Sequence, residues 1–150
     1  MKALFYGSFD PFTDGHYNIL KQAEQLFDEV VVVIARNPKK KRRFTVESCM
    51  NAIQSICNSQ VIYTDDILPT FLAQQLKCDY IVRGLRNTSD YLYEEEIILT
   101  ESEINKSIRT IYLRSGNHIS SSLVYGLYEQ GYNVDKYLPY SLSLLNNDFN

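Results

Sequence analysis

The sequence predicts an α/β protein built on a doubly wound, five-stranded parallel sheet with helices on both faces. Two observations support this fold class. Short apolar runs alternate with amphipathic stretches along the 150 residues, which is the pattern of successive βαβ units. The run Glu29–Ala35 (EVVVVIA) is also almost entirely β-branched, as expected for a parallel strand that is buried on both faces.

The elements follow one another in strict alternation. The first helical stretch is the clearest, because Ile19, Leu20, Ala23 and Phe27 recur at helical spacing. The predicted strands are Ala3–Tyr6, Glu29–Ala35, Gln60–Tyr63, Tyr80–Val82 and Arg109–Leu113. The predicted helices are Asp14–Phe27, Val46–Ile56, Pro69–Leu76, a longer amphipathic helix within Ser89–Asn105, Ser121–Gln130, and a short helix around Tyr137–Leu145. Right-handed crossovers then place helices on both faces of the sheet.

Composition narrows the class of protein. With 45% hydrophobic and 22% charged residues, residues 1–150 fit one globular domain. The cysteines Cys49, Cys57 and Cys78 are odd in number and show no C-x-x-C spacing, so reduced thiols in the cytoplasm are expected rather than disulfides or zinc. We expect no signal peptide and no membrane span. The net charge of −3 argues against a general nucleic-acid binder.

Ligands of doubly wound sheets bind beyond the carboxyl ends of the strands, so the segments that follow the strands are where we expect a binding site. The segment GSFDPFTDGH, residues 7–16, follows the first strand. It combines a glycine, the hydroxyl of Ser8, an Asp-Pro turn and the start of a helix, whose amides attract anions. His16 falls in the first turn of that helix. Alone it would be read as a solvated residue, but in this context it is a candidate phosphate ligand.

A basic segment follows the second strand. Arg36–Arg43 contains six lysine or arginine residues in eight positions. A solvated loop and a nucleic-acid patch are the usual interpretations of such a run. Its position beyond a parallel strand favours the handling of phosphate groups, with at least one of Lys39, Lys40 and Lys41 in contact with an anionic substrate.

Two arginines follow the fourth predicted strand. Arg83 and Arg86 flank Gly84 and Leu85, and two guanidinium groups so placed are suited to bidentate contacts with phosphates. Glu94, on the next helix, is a candidate partner of ribose hydroxyls. The alternative is that it belongs to a solvated acidic helix start, as we expect for Glu95 and Glu96.

A run of serines follows the fifth strand. Ile119 precedes Ser120, Ser121 and Ser122 at the start of a predicted helix. One serine is explained by capping of that helix, and three together also form a cradle for an anion. His118 has no further ligands at suitable spacing, so we predict no metal site held by the protein.

The segments GSFDPFTDGH, RGLRNTSDYLYE and ISSSLV, taken together, resemble the bacterial phosphopantetheine adenylyltransferase family over nearly the whole chain. The T-x-G-H pattern alone marks the wider nucleotidyltransferase superfamily. The resemblance implies a Rossmann-like nucleotidyltransferase fold and reversible transfer of AMP from ATP to 4′-phosphopantetheine, with Mg²⁺ bound together with ATP. It also implies a homohexamer and coenzyme A as a possible feedback inhibitor.

The same resemblance implies roles for individual residues. His16 would stabilise the transition state, assisted by Lys40 and Arg86. The acceptor, phosphopantetheine, would be bound by Ser8, Lys40, Pro69 and Arg83. The nucleotide would be bound by Ser8, Phe9, His16, Gly84, Leu85, Arg86, Glu94, Gly116, Asn117, His118, Ile119, Ser120, Ser121 and Ser122.

Two other hypotheses stay open at this point. The first is transfer of an adenylyl or cytidylyl group to another acceptor, such as nicotinate mononucleotide. A protein without catalytic activity would instead bind nucleotides or RNA through the basic segment, with an affinity that depends strongly on salt. A panel of acceptors with ATP and CTP distinguishes transfer to phosphopantetheine from transfer to another acceptor. Turnover distinguishes either enzyme from a protein that only binds.

Overall fold

The computed structural model describes residues 1–65, 67–86, 88–116 and 119–148, without the side chains of 88–91, 93, 94 and 96. Five strands alternate with five α-helices. The strands are β1 (Lys2–Gly7), β2 (Glu29–Ala35), β3 (Gln60–Thr64), β4 (Tyr80–Leu85) and β5 (Arg109–Arg114). The helices are α1 (Asp14–Leu26), α2 (Val46–Gln54), α3 (Pro69–Gln75), α4 (Thr88–Ile104) and α5 (Ser121–Glu129).

All five strands are parallel and form one sheet in the order β3-β2-β1-β4-β5. The predicted fold class is therefore confirmed. The chain builds outward from β1 to β3, then returns to the other side of β1 for β4 and β5. The order reverses between β1 and β4, which is where ligands of such sheets bind.

Alternate residues of the central strands supply two cores. Phe5, Val30 and Val32 face a core that includes residues of α1, α2 and α5. Leu4 and Val31 face a second core, which α3 covers. This two-sided burial explains why β2 has an almost continuous apolar sequence instead of an alternating one.

The fourth strand is longer than predicted. It runs to Leu85 instead of ending at Val82, because β5 pairs with it in register through Leu85↔Arg114. On its other side, β4 pairs with β1 only as far as Phe5↔Val82. The two central strands therefore separate beyond this pair, and Arg83, Gly84 and Leu85 lie within the strand rather than after it.

The prediction for α4 is correct in extent but wrong in character. Its described side chains do not form one buried apolar face, because Leu92 and Leu99 are exposed while Glu101 is buried.

The short helix predicted around Tyr137–Leu145 is also wrong. Two 3₁₀ turns, Asp135–Tyr137 and Leu142–Leu144, occupy the region. Pro139 explains the break, because it offers no backbone N–H and favours extended backbone in the residue before it; Leu138 is extended, with φ −114° and ψ 139°.

Candidate active site

A cleft opens where β1 and β4 separate. It has a volume of about 770 Å³ and is called the central cleft below. A smaller pocket of about 120 Å³ shares His16, Arg83 and Arg86 with it. Of the described residues, eight lysine or arginine side chains and one carboxylate, that of Asp10, line the central cleft. Such a lining favours a ligand with several negative charges.

The turn after β1 is held by its own aromatic rings. Phe9 has a positive φ of 44°, and its buried ring packs edge-to-face on Phe5 and Phe12 with centroids 4.9 and 5.0 Å away. A Cβ on Gly7 would lie 2.7 Å from the Phe9 ring. Gly7 is therefore required because this ring closes back over the backbone. The ring of Phe9 is therefore part of the hydrophobic core.

Thr13 and His16 form the first turn of α1. The backbone N–H of Thr13 donates to Nδ1 of His16 over 3.0 Å. Nδ1 must then be unprotonated, so a neutral His16 carries its proton on Nε2. This arrangement resembles a capping box with histidine in place of the usual glutamate or glutamine.

The imidazole of His16 is neutral at physiological pH. Burial of the ring lowers its pKa from 6.5 to about 4, and the nearby positive charge of Arg86 acts in the same direction. The rings of Phe9 and Phe12 lie 5.1 and 5.4 Å from it, centroid to centroid. His16 therefore offers a hydrogen-bond donor, and no net charge, to the cleft.

We predict that His16 stays neutral down to about pH 5, since a lowered pKa moves protonation to lower pH. Histidine Cε1–Hε1 NMR signals recorded from pH 8 to 4.5 provide the measurement. The chain has only two histidines, so a His118→Gln variant leaves the signal of His16 alone. A midpoint near 6.5 in that variant would contradict the prediction.

Asp10 joins this turn to the basic segment. Its Oδ2 accepts from the backbone N–H of Arg43 over 2.8 Å, and its Oδ1 accepts from that of Phe44 over 2.9 Å. Nη2 of Arg42 lies 3.6 Å from Oδ1. The carboxylate thus fixes the end of the basic segment beside the turn, and we call this group the Asp10 clamp.

The two arginines at the end of the basic segment hold structure together. Arg42 donates from Nη1 to the carbonyl of Ser8 over 3.0 Å and from Nε to that of Phe44 over 3.2 Å. Arg43 donates from Nη1 to the carbonyl of Asp10 over 3.2 Å and from Nη2 to Oγ of Ser122 over 2.9 Å. The three lysines before them, Lys39 to Lys41, are exposed on the rim of the cleft.

Arg83 belongs to β4, and its side chain is largely buried instead of projecting from a loop. Its Nη2 is 3.8 Å from Oε1 of Glu101, and both side chains are buried. Its guanidinium also lies 5.8 Å from the centre of the Tyr6 ring. The two arginines of the predicted pair therefore differ in setting. Arg83 lies within β4, and Arg86 is exposed directly after the strand.

The three serines at the start of α5 make different contacts. Ser120 caps α5 by accepting from the backbone N–H of Leu123 over 3.1 Å, as predicted for one of the three. Ser121 donates to the carbonyl of Pro11 over 2.8 Å, and Ser122 accepts from Arg43. The start of α5 is thus tied to both the turn and the basic segment.

Most predicted site residues converge on this region. Those lining the central cleft are Ser8, Phe9, His16, Lys40, Arg83, Arg86, Ser120, Ser121 and Ser122. Those lining the smaller pocket alone are Gly84, Leu85 and Ile119. Pro69, the first residue of α3, and the exposed Gly116 line neither. The side chain of Glu94 and residues Asn117 and His118 lie outside the described part of the chain.

Sequence reasoning missed the residues that hold the site in shape. Thr13 and Asp10 were visible in GSFDPFTDGH only as turn residues, although the spacing of Thr13 and His16 matches a capping box. Tyr140 gave no signal at all. Its hydroxyl donates to the carbonyl of Phe12 over 2.6 Å, so the C-terminal segment supports the turn from behind.

The described residues offer neither a metal centre nor a membrane span. No three histidine, cysteine or acidic side chains in this part of the chain group as metal ligands would. None of its helices combines the length and the apolar character that a bilayer crossing requires.

The chain is similar in sequence to a family of known proteins. The cytidylyltransferase-like family model matches residues 4–126. A phosphopantetheine adenylyltransferase of Lactobacillus acidophilus is 39% identical over 144 residues, covering 91% of this chain and 89% of that protein. A phosphopantetheine adenylyltransferase of Campylobacter jejuni is 38% identical, covering 93% and 92%.

Solved structures share the fold at lower identity. A putative nicotinate-nucleotide adenylyltransferase of Vibrio parahaemolyticus superposes with a TM-score of 0.65 at 17% identity, over 92% of each chain. A lipopolysaccharide core biosynthesis protein of Thermoplasma volcanium gives a TM-score of 0.63 at 23% identity, over 78% of this chain and 98% of that one. At these identities the likeness concerns the fold alone.

Proposed function

The chain belongs to the phosphopantetheine adenylyltransferases of the cytidylyltransferase-like family, and we propose that its reaction is the reversible transfer of the adenylyl group of ATP to 4′-phosphopantetheine. The products are dephospho-coenzyme A and pyrophosphate. The observation that carries this proposal is a neutral imidazole, with its proton on Nε2, that lines the same cleft as eight lysine or arginine side chains of the described residues.

The chemistry requires little more than positioning. An oxygen of the acceptor phosphate, already ionised at neutral pH, forms a bond to the α-phosphorus of ATP while the bond from that phosphorus to the bridging oxygen of pyrophosphate breaks. Negative charge increases on the α-phosphate oxygens and on the leaving group in the transition state. Nε2–H of His16, as a fixed donor, would stabilise that charge, and no general base is needed.

Acceptor and nucleotide occupy different walls in this proposal. Lys40 and Arg83, with the hydroxyl of Ser8, would bind the acceptor phosphate, and the segment around Pro69 would meet the pantetheine arm. Arg86, the backbone of Gly84 and Leu85, and the Ile119–Ser122 segment would bind ATP, with Glu94 at the ribose. Gly116, Asn117 and His118 would complete the nucleotide side.

The described residues do not form a ligand set for Mg²⁺. The one carboxylate that lines the cleft, Asp10, accepts from two backbone N–H groups and lies 3.6 Å from Nη2 of Arg42. We therefore propose that Mg²⁺ enters on the phosphates of ATP, without a protein ligand set.

Turnover of defined substrates tests the function. Purified protein with ATP, Mg²⁺ and phosphopantetheine should release pyrophosphate and form dephospho-coenzyme A, and the reverse reaction should consume both products. A panel that replaces ATP with CTP, or the acceptor with nicotinate mononucleotide, measures specificity. Faster turnover of another pair, or no turnover by folded protein, would overturn the proposal. RNA binding without turnover would support a binding module.

Lys40 is expected to contribute more to acceptor binding than its neighbours. Lys40→Ala should raise the KM for phosphopantetheine about tenfold or more and change the KM for ATP by less than about threefold, because a charged phosphate contact is lost. The matched controls are Lys39→Ala and Lys41→Ala, which remove the same charge from the same exposed run. Equal effects of the three substitutions would assign the contact to the segment as a whole.

Assembly and location are further parts of the proposal. Exposed apolar side chains on and beside α3 and on α4, including Leu68, Phe71, Leu92 and Leu99, favour self-association, and a hexamer is the size that family membership suggests. Multi-angle light scattering measures it. The three free thiols are consistent with a cytoplasmic location. Inhibition by coenzyme A is checked by adding it to the forward assay.

A further inference from the structure

The positive charges of the central cleft are not equivalent. Three of its arginines have a carboxylate beside them: Arg36 lies 3.9 Å from Asp65, Arg42 lies 3.6 Å from Asp10, and Arg83 lies 3.8 Å from Glu101. In the two largely buried pairs, Arg42–Asp10 and Arg83–Glu101, the opposite charge offsets much of the attraction that the guanidinium exerts on a bound anion. The Arg36–Asp65 pair is more than half exposed, so water screens it. Arg42 and Arg83 are therefore weaker phosphate ligands than their charge alone suggests.

Arg43 differs from them. Within the described part of the chain no carboxylate oxygen lies within 4 Å of its guanidinium. Its two short contacts are to neutral acceptors, the Asp10 carbonyl and Oγ of Ser122. The guanidinium carbon also lies 5.1 Å from the centre of the Tyr125 ring. The side chain is thus braced on three sides, and its charge is not neutralised by these partners.

The bracing leaves donors available. A guanidinium has five N–H groups, and the two contacts use one each, which leaves three. Because the side chain is already held in place, ligand binding would not carry the entropic cost of ordering it. Arg43 lines the central cleft together with Ser120, Ser121 and Ser122 and contacts Ser122 directly. It therefore lies on the side that we assign to the nucleotide, whereas Arg83 lies within β4.

We propose that Arg43 binds the β- and γ-phosphates of the nucleotide, and with them the pyrophosphate that leaves. This inference rests on the proposed function for the identity of the anion. The terminal phosphates carry most of the charge of ATP, and the uncompensated cation beside the start of α5 is suited to them. Ser122 acts in this arrangement as a positioning residue, because it holds Nη2 of Arg43.

The alternative is that Arg43 only joins the basic segment to the turn and to α5. The two roles differ in their dependence on the terminal phosphates. Loss of a structural brace would disturb the whole nucleotide site and weaken ATP and AMP alike. Loss of a ligand to the terminal phosphates would weaken ATP and leave AMP nearly unchanged.

Isothermal titration of Arg43→Met with ATP and with AMP, at 0.15 M salt to limit long-range charge effects, provides the test. We expect the Kd for ATP to rise about tenfold or more, since charge-assisted hydrogen bonds are lost, and the Kd for AMP to change by less than about twofold. Inorganic tripolyphosphate should compete with ATP on the wild type and about tenfold less well on the variant. An equal loss for ATP and AMP, or no loss for either, would overturn the proposal.

Two further variants serve as controls. Arg109→Met removes the same group from an exposed position at the opposite end of the sheet, and it should bind ATP as the wild type does. Ser122→Ala keeps the cation and removes one brace, so we expect a smaller loss for ATP than in Arg43→Met. If Arg43→Met does not fold, Arg43→Lys is used in its place. Because the readout is binding, it is separate from the turnover that tests the proposed function.

Discussion

Replacement of His16 by alanine is expected to lower kcat about 10²-fold or more while the Kd for ATP changes by less than about threefold. The reason is that Nε2–H meets charge that grows on the α-phosphate only in the transition state, and removal of one such fixed donor typically costs a factor of this size. Steady-state kinetics of pyrophosphate release, together with ATP binding measured by titration, give the two quantities.

The two nitrogens of His16 are separated by a matched pair of variants. Asparagine can place an atom near the position of Nδ1 and keep the contact with the Thr13 N–H, but it does not reach Nε2. Glutamine can place an amide N–H near Nε2. We expect His16→Gln to keep more of kcat than His16→Asn. If asparagine proved the better substitute, the role of His16 would be to shape the first turn of α1.

The second large effect is expected from loss of the Asp10 clamp. Asp10→Ala leaves two backbone N–H groups and the largely buried Arg42 without their carboxylate. Removal of one partner of a buried ion pair costs about 3–5 kcal/mol, so the free energy of unfolding should fall by about 3 kcal/mol or more. Urea denaturation measures this. We also expect kcat/KM to fall about tenfold or more in protein that is still folded, because the basic segment loses its anchor.

An exposed aspartate supplies the control for the Asp10 clamp. Asp65 lies 3.9 Å from Arg36 with both side chains more than half exposed, and it accepts from the hydroxyl of Tyr63. Exposed pairs contribute less than about 1 kcal/mol, so Asp65→Ala should unfold at nearly the wild-type urea concentration. If Asp10→Ala and Asp65→Ala behaved alike, the clamp would have no special role.

The fold was accessible from sequence because its signals are local. The β-branched run of β2 and the helical spacing of Ile19, Leu20 and Ala23 each reflect burial that repeats within one element. The carboxyl ends of parallel strands meet at one edge of a sheet, so segments far apart in the chain could be expected to converge there. His16, Arg86 and Ser120 do so.

The features that sequence reasoning missed depend on pairs of residues distant in the chain. Arg42 and Arg43 look like Lys39 to Lys41 in a basic run, and only the position of Asp10 separates structural arginines from exposed lysines. Glu101 on α4 looks like a solvent-facing residue until Arg83 is placed beside it. Two missed features were local instead. The spacing of Thr13 and His16 matches a capping box, and Pro139 should have argued against a helix in the C-terminal segment.

The separation of β1 from β4 beyond Phe5 and Val82 has a consequence for ligand-dependent stability. Only three register pairs join β1 to β4 within the single sheet, so the β3-β2-β1 half and the β4-β5 half meet at a short seam. Proposed phosphate ligands from both halves line the cleft beside that seam. A nucleotide that binds residues of both would act as a removable cross-link. At a concentration of 100 times its Kd it would add about 2.7 kcal/mol to the free energy of unfolding, and amide exchange should slow most along the seam between the two halves.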